Sequence, residues 1–238
     1  MDPRTASAPA LSERERRSLW IVIAAFNEGP AVRTVITDLL AEYPNVVVVD
    51  DGSSDNTVDE ARAAGATVLR HIVNLGQGAA LQTGIRYALA RGAAGIVTFD
   101  ADGQHLVSDI AAIARPVLDG DAEVSLGSRF LGRAENITAA KLLTLRLAVL
   151  FTRATTGLNF TDAHNGFRCL SPVAARKIRI RQDRMAHASE ILDQIALLKL
   201  KYVEVPVTIR YTEYSKQKGQ RISNSLHILA DLFVARID

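Results

Sequence analysis

Cysteine is almost absent: the 238-residue chain has one, Cys169. A single thiol excludes a disulfide framework and a multi-thiolate zinc site, and it suits a reducing compartment. Long apolar runs are missing too. A membrane span needs roughly 18 consecutive apolar residues, yet the most apolar run, Leu142–Phe151, is broken by Arg146 and bounded by Lys141 and Arg153. Residues 1–18 lack the apolar stretch of about 7–15 residues that a signal peptide carries, so they read as a disordered tail. Net charge is small, 28 basic against 26 acidic side chains, which gives no reason to expect a nucleic-acid partner. There is no Walker loop, no Gly-X-Ser-X-Gly elbow, no His-Glu-X-X-His and no Cys-X-X-Cys, which argues against hydrolase and zinc-enzyme chemistry.

What is present is ordinary in bulk and uneven in distribution. Hydrophobic residues are 48% and charged residues 23% of the chain, a globular composition. At about 150 residues per domain the length suits one large domain or two small ones. Residues 1–164 hold 15 basic and 19 acidic side chains, a net of −4, whereas residues 165–238 hold 13 and 7, a net of +6. An anionic ligand or surface is therefore expected at the C-terminal third.

From Leu19 to about Leu126, short apolar runs alternate with helical periods. The strands expected are Trp20–Ala25, Val46–Asp50, Thr67–His71, Gly95–Phe99 and Glu123–Leu126. Between them lie helices: one opened by Pro30 with Val32, Val35, Ile36, Leu39 and Leu40 on one face, then Asp55–Ala64 behind a Ser53-Ser54 cap, Gly78–Ala90 and Ser108–Leu118. This alternation predicts an α/β fold, a Rossmann-like, mostly parallel sheet flanked by helices on both faces. Helices Lys141–Thr155 and His187–Lys199, strand Tyr202–Ile209, a basic loop Tyr211–Arg221 and a helix Ile222–Ile237 complete the reading. No internal repeat or long linker divides the chain, so residues 19–238 read as a single domain.

Ligands of such sheets bind beyond the carboxyl ends of the strands, and here those ends are acidic. Phe26-Asn27-Glu28 follows the first strand, Asp50-Asp51-Gly52-Ser53-Ser54-Asp55 the second, and Asp100-Ala101-Asp102-Gly103-Gln104-His105 the fourth. Carboxylates so gathered repel one another unless a cation or a ligand's donors relieve them. Asp100 and Asp102, two apart in an extended turn, can face one ligand. Their hard oxygens favour Mg²⁺ or Mn²⁺, with diphosphate oxygens completing the shell.

The three segments Ile23–Glu28, Val48–Asp55 and Phe99–His105 resemble the family 2 glycosyltransferases with the GT-A fold. Gly127-Ser128-Arg129, Asp162–Arg168 and Glu190-Ile191-Leu192 resemble the polyprenyl-phosphate sugar transferase branch, to which the dolichyl-phosphate mannose synthases belong. The resemblance covers about residues 19–237. Two departures stand in the first motif, which in the family usually reads Pro-X-Tyr-Asn-Glu: Ala24 takes the place of the proline and Phe26 that of the tyrosine. The loop after Tyr211 lacks the Arg-X-X-Gly-X-Ser-Lys order common in mannose synthases, which weakens the case for mannose, and the membrane helices of some members are not seen.

The resemblance implies a division of labour, with residues 19–128 as the nucleotide-sugar half and 129–238 as the acceptor half. It places Phe26, Asn27, Glu28 and Asp51 at the nucleobase, and leaves Asp50 to cap the adjacent turn. Asp100 would hold ribose or a metal-bound water and Asp102 would ligate Mg²⁺ or Mn²⁺ directly, with Gln104 beside them. It implies inverting, metal-dependent transfer of a hexose from GDP-mannose or UDP-glucose to a polyprenyl phosphate. A phosphate acceptor is mostly dianionic at pH 7 and needs cations rather than a general base. Arg129, Arg168, Lys216, Lys218 and Arg221 are expected to supply them. Asp162 either orients Arg168 or a sugar hydroxyl, or caps its own turn. Glu190 is either functional or an acid at a helix N-terminus, and His105 either touches the ligand or lies on the surface. The expected setting is peripheral, at the inner face of the cell membrane, with attachment either direct or through a small membrane partner protein. Helix 141–155 fits either an interfacial helix with snorkelling Arg146 and Arg153 or a helix packed on the sheet. The competing readings are a family 2 enzyme using a sugar or protein hydroxyl, and a catalytically silent GT-A module.

Overall fold

In the computed structural model, which describes residues 9–181, 187–212 and Tyr214, seven strands form one sheet in the order β3-β2-β1-β4-β6-β5-β7. They are β1 (Leu19–Ala25), β2 (Val46–Asp50), β3 (Thr67–Arg70), β4 (Gly95–Asp100), β5 (Val124–Glu135), β6 (Arg168–Leu170) and β7 (Tyr202–Arg210). Only β6 runs against its neighbours, pairing antiparallel with β4 and β5. The reading of a mostly parallel sheet therefore holds. The strands' period of two divides the core. Ile21 and Ile23 face one side, with α2 (Gly29–Leu40) and α5 (Ile110–Leu118). Val22 and Val47 face the other, with α4 (Gln77–Ala90), α6 (Ala139–Thr156), α7 (Pro172–Lys177) and α8 (His187–Leu197). Both faces are covered, which is why β2 is buried at every position.

Several expectations need correcting. Part of the expected tail 1–18 is helical: α1 spans Glu13–Ser18. Ser12 and Glu15 cap that helix reciprocally, Leu11 is buried, and Glu15 pairs with Arg115 of α5 at 2.6 Å. Ser53 and Ser54 do not cap the next helix. Helix α3 starts at Thr57 and ends at Ala63, because those serines are engaged with Asn27. Strand β5 runs nine residues beyond Leu126, with a register shift between Ser128 and Arg133 that keeps its second half paired to β7. Two elements escaped sequence reading. Strand β6 has three residues, too few to show a period. Helix α7 does carry a signal, Ser171 at the N-cap and Pro172 at the first position. The expected helix 222–237 lies outside the described residues.

Cys169 is fully buried in β6, and burial pushes its thiol up to about 12, so it acts as a core residue. Gly84 of α4 packs tightly on the sheet: a Cβ there would stand 2.3 Å from Cγ1 of Val22. Alanine is the better helix former by about 1 kcal/mol, yet overpacking costs about 1–3 kcal/mol. Gly84→Ala should therefore lower the thermal unfolding midpoint by a few degrees; a raised midpoint would show that the helix can back away freely.

Candidate active site

The parallel strands deliver β1, β2 and β4 to one edge, where their loops are laced together. Asn27 adopts the left-handed region (φ 52°). Its N–H donates to Ser53 Oγ at 2.9 Å and its Oδ1 accepts from the Ser54 N–H at 3.0 Å. The Glu28 N–H donates to Thr57 Oγ1 and the Gly29 N–H to Asp55. Phe26 remains 41% exposed. Asp50 caps the turn through Ser53 N and pairs with Arg70 at 3.2 Å. Asp51 is buried, with Oδ1 accepting from His71 (2.7 Å) and Leu75 N (3.0 Å), and Oδ2 from Gly76 N (2.7 Å). Its first task is to fold the 71–76 loop back over the end of β2.

Asp100 and Asp102 end β4 and open the next turn. Asp100 sits on a rigid bed. His105 Nε2 meets its Oδ2 at 2.9 Å, and the His105 ring stacks on Phe167 and stands edge-on to Phe99. Gly166 passes so close that a Cβ would lie 2.9 Å from both Asp100 oxygens, and its carbonyl accepts from the Thr98 hydroxyl. Burial opposes ionisation of Asp100, but His105, His187 and Arg168 outweigh it and hold the carboxyl below its ordinary range. Asp102 is the opposite case. Burial, together with the charges of Asp100 and Glu28, pushes it up to about 6, and its Oδ1 accepts the Gln104 N–H at 3.0 Å. Three carboxylates thus converge on one spot, and Asp102 is the one left undercompensated.

The opposite rim is cationic. Arg129 is buried; its backbone N–H and Nε donate to Asp162 Oδ2 at 3.0 and 2.6 Å, Nη1 to the Tyr211 hydroxyl at 2.6 Å, and Nη2 to the His164 carbonyl at 3.0 Å. Lys141, at the start of α6, places Nζ 4.9 Å from the Tyr211 ring centroid. Burial and then Arg129 lower its pKa while Asp102 opposes them, so the amine lies in the fields of both. Across the opening, the Tyr214 hydroxyl donates to Glu28 at 2.8 Å.

The expected site residues therefore separate. Phe26, Asn27, Glu28, Asp100, Asp102, Gln104 and Arg129 gather at this edge. Asp162 orients Arg129, not Arg168, while also accepting from the His164 N–H in its own turn. Arg168 is buried, and burial pushes it down to about 10 against the pull of Asp100 and Asp162. With Nη2 on the Ala188 carbonyl, it is an internal counter-charge and not an outward phosphate grip. Glu190 accepts the Arg181 N–H with both oxygens, at a groove between α6 and α8 away from these strand ends. His105 is buried beneath Asp100 and not on the surface. Lys216, Lys218 and Arg221 lie outside the described residues. Sequence reading missed Lys141, Tyr211 and Tyr214 as site members, although all three stood in segments it marked as acceptor-side.

Comparison with known proteins fits this arrangement. The model of Glycosyl transferase family 2 matches residues 20–179. The chain belongs to that family. A UDP-N-acetylglucosamine–dolichyl-phosphate N-acetylglucosaminyltransferase of Methanococcus voltae is 30% identical over 92% of this chain and 96% of its own. A polyprenol monophosphomannose synthase of Mycolicibacterium smegmatis is 28% identical over 94% and 89%. Among solved structures, glucosyl-3-phosphoglycerate synthase from Mycobacterium tuberculosis, in complex with Mn²⁺ and UDP-glucose, superposes with a TM-score of 0.69 at 19% identity, covering 95% of this chain and 83% of that one. The fold is GT-A and the protein is a glycosyltransferase.

Among the described residues, no three His, Cys, Asp or Glu side chains form a ready cage for a metal ion. The two aspartates nonetheless fit a divalent cation shared with a ligand, since Asp102 is a partly buried carboxylate short of positive charge and both offer hard oxygens. Two outcomes test this electrostatic picture. Asp102→Asn removes the repelled charge, so it should raise the thermal midpoint of the ligand-free protein by about 2 °C while lowering transfer at least about 100-fold. A lower midpoint would mean that the charge is compensated. Gly166→Ala should leave folding cooperative but displace the Asp100 carboxylate and reduce turnover about tenfold; wild-type turnover would show Asp100 to be insensitive to its seat.

Proposed function

We propose that the chain transfers a hexose, with inversion, from a nucleotide sugar to a polyprenyl phosphate. The observation that carries this reading is the pairing of an undercompensated carboxylate, Asp102, with two cations, the buried Arg129 and the exposed Lys141, across one opening. Two anionic reactants can meet there, each at a pole of opposite sign. The nucleobase lies against Phe26, Asn27 and Glu28. Asp51, with three donors already on its carboxylate, acts there chiefly by holding the 71–76 loop. Asp100 and Asp102 would hold Mg²⁺ or Mn²⁺, which when bound supplies positive charge to the diphosphate as it leaves.

Arg129, fixed by Asp162 and Tyr211, and Lys141 receive the acceptor phosphate and aim one oxygen at the anomeric carbon. The bond from that carbon to the diphosphate breaks as the new one forms, and nucleoside diphosphate departs. No proton need be removed, because the acceptor is already ionised. Lys216, Lys218 and Arg221 would add cations on the same side.

The lipid chain of the acceptor fits the exposed row Leu143, Leu147 and Leu150 on α6, flanked by Arg146. Arg153 is not available for snorkelling, because its Nε donates to the Phe160 carbonyl at 2.6 Å. No helix among the described residues is long and apolar enough to cross a membrane, so the proposal is peripheral attachment at the inner face, and it requires no separate membrane partner. The relatives named above carry mannose and N-acetylglucosamine in their names, so the sugar is left at the level of a hexose or its N-acetylamino derivative.

The test supplies labelled GDP-mannose, UDP-glucose or UDP-N-acetylglucosamine with Mn²⁺, and either a short polyprenyl phosphate or free sugars. Label should pass to the organic phase with the lipid phosphate. Transfer only to a hydroxyl acceptor, or no transfer at all, would replace the proposal by one of its rivals. Lys141→Ala should raise the KM for the lipid phosphate about tenfold and leave nucleotide-sugar affinity unchanged; the reverse pattern would move Lys141 to the donor side.

A further inference from the structure

Outside the carboxylate cluster, one acid in β7 gathers donors from a distant turn. Glu204 stands between Val203 and Val205, opposite Leu126 of β5. Strand alternation sends Val207 and Ile209 to the face of α2 and α5. It sends Tyr202 to the other face, where its ring centroid lies 4.8 Å from that of Phe160. Glu204 shares the Tyr202 side and so meets the turn that follows Phe160. Both its oxygens accept the Thr161 N–H, at 2.8 and 2.9 Å. Its Oε1 also accepts the Thr161 hydroxyl at 2.8 Å and the Asp162 N–H at 3.1 Å. Thr161 Oγ1 lies 2.6 Å from Ser128 Oγ. Thr161 has a single hydroxyl hydrogen and gives it to the carboxylate, so Ser128 is the donor between the two hydroxyls. Ser128 Oγ in turn accepts the Leu131 N–H at 3.2 Å. The donors thus run in one direction, from β5 through two hydroxyls to Glu204.

Both flanks of Arg129 lead to that carboxylate. On one side is Ser128, its neighbour in sequence, where the register shift of β5 begins. On the other is Asp162, whose Oδ2 accepts the Arg129 backbone N–H and Nε. We propose that Glu204 is a positioning residue for Arg129: it binds the Thr161–Asp162 turn to β7, so that Asp162 and Ser128 hold the guanidinium in one place. The proposal rests on the reading of Arg129 as a cation for the acceptor phosphate. What the turn needs from Glu204 is an acceptor oxygen more than a charge, because three of its four hydrogen bonds fall on Oε1. An amide oxygen in that place accepts the same donors. A methyl group would instead leave the Thr161 and Asp162 N–H groups without that partner. Removing the acceptor therefore loosens Asp162, and Arg129 with it, and leaves the edge that holds Glu28, Asp100 and Asp102 as it is.

Glu204→Ala and Glu204→Gln separate positioning from general support. With labelled nucleotide sugar, Mn²⁺ and a short polyprenyl phosphate, Glu204→Ala should raise the acceptor KM about tenfold and leave nucleotide-sugar affinity unchanged. Glu204→Gln should stay within about twofold of the wild type. A second readout needs no turnover. The Arg129 Nε–H resonance, assigned with Arg129→Lys, should exchange slowly with water in the wild type and in Glu204→Gln, and at least about tenfold faster in Glu204→Ala. Thr161→Val cuts the hydroxyl relay but keeps both N–H donors, so it should fall between them; it takes over the test if Glu204→Ala does not fold. Unchanged exchange would overturn the proposal, as would an unchanged acceptor KM where Arg129→Lys raises it. Equal losses in the Gln and Ala variants would overturn it by making the charge the active feature, and equal losses of donor and acceptor binding by making Glu204 a general structural tie. If Arg129→Lys leaves the acceptor KM unchanged, or the wild type transfers to no lipid phosphate, the acceptor reading of Arg129 falls, and the exchange rates still decide whether Glu204 positions it.

Discussion

The structure is governed by the convergence of three carboxylates, Glu28, Asp100 and Asp102, on a partly buried edge of a mostly parallel sheet. Each arrives for a topological reason: β1 and β4 are adjacent and parallel, so the residues following them must emerge side by side. Negative charge gathered in this way raises the energy of the folded state unless something answers it. Asp100 is answered from beneath by His105 and Arg168, and Glu28 by the Tyr214 hydroxyl. Asp102 is left for what binds.

The cationic rim is organised around a second solution to the same problem. Asp162 faces Arg129 at 2.6 Å with both groups buried, and Tyr211 and the His164 carbonyl take up further guanidinium donors. An ion pair so enclosed contributes little net stability. It does fix the guanidinium in one orientation, which the proposed phosphate acceptor would require. Both halves meet in the segment from Gln104 to Asp109, which carries the turn after Asp102 and is fastened to β7 by main-chain bonds. A shift on one side is therefore felt on the other.

Much of this was legible in the sequence, and the reasons are specific. Val46–Asp50 is apolar for four residues and then acidic, which announces a buried strand ending at a site, and its bounds were read without error. Asp100-Ala101-Asp102 was found because two carboxylates at alternate positions rarely serve a core. The failures have physical causes too. Strand β6 is too short to carry a period. Asp162 was weighed as a partner for Arg168, six residues along, because sequence reading favours near neighbours, whereas the fold brings Arg129 from across the sheet. Arg168 looked like a surface cation, and only the antiparallel pairing of β6 between β4 and β5 shows it buried. Tyr214 met Glu28 through a contact that no local pattern encodes.

The most direct measurement is a structure of the chain with a nucleoside diphosphate sugar and Mn²⁺. The account places the diphosphate at Asp102 and leaves Arg129 on Asp162 with Lys141 facing the acceptor side. A diphosphate seated on Arg129 and Lys141, with Asp102 empty, would contradict it by exchanging the two poles of the site.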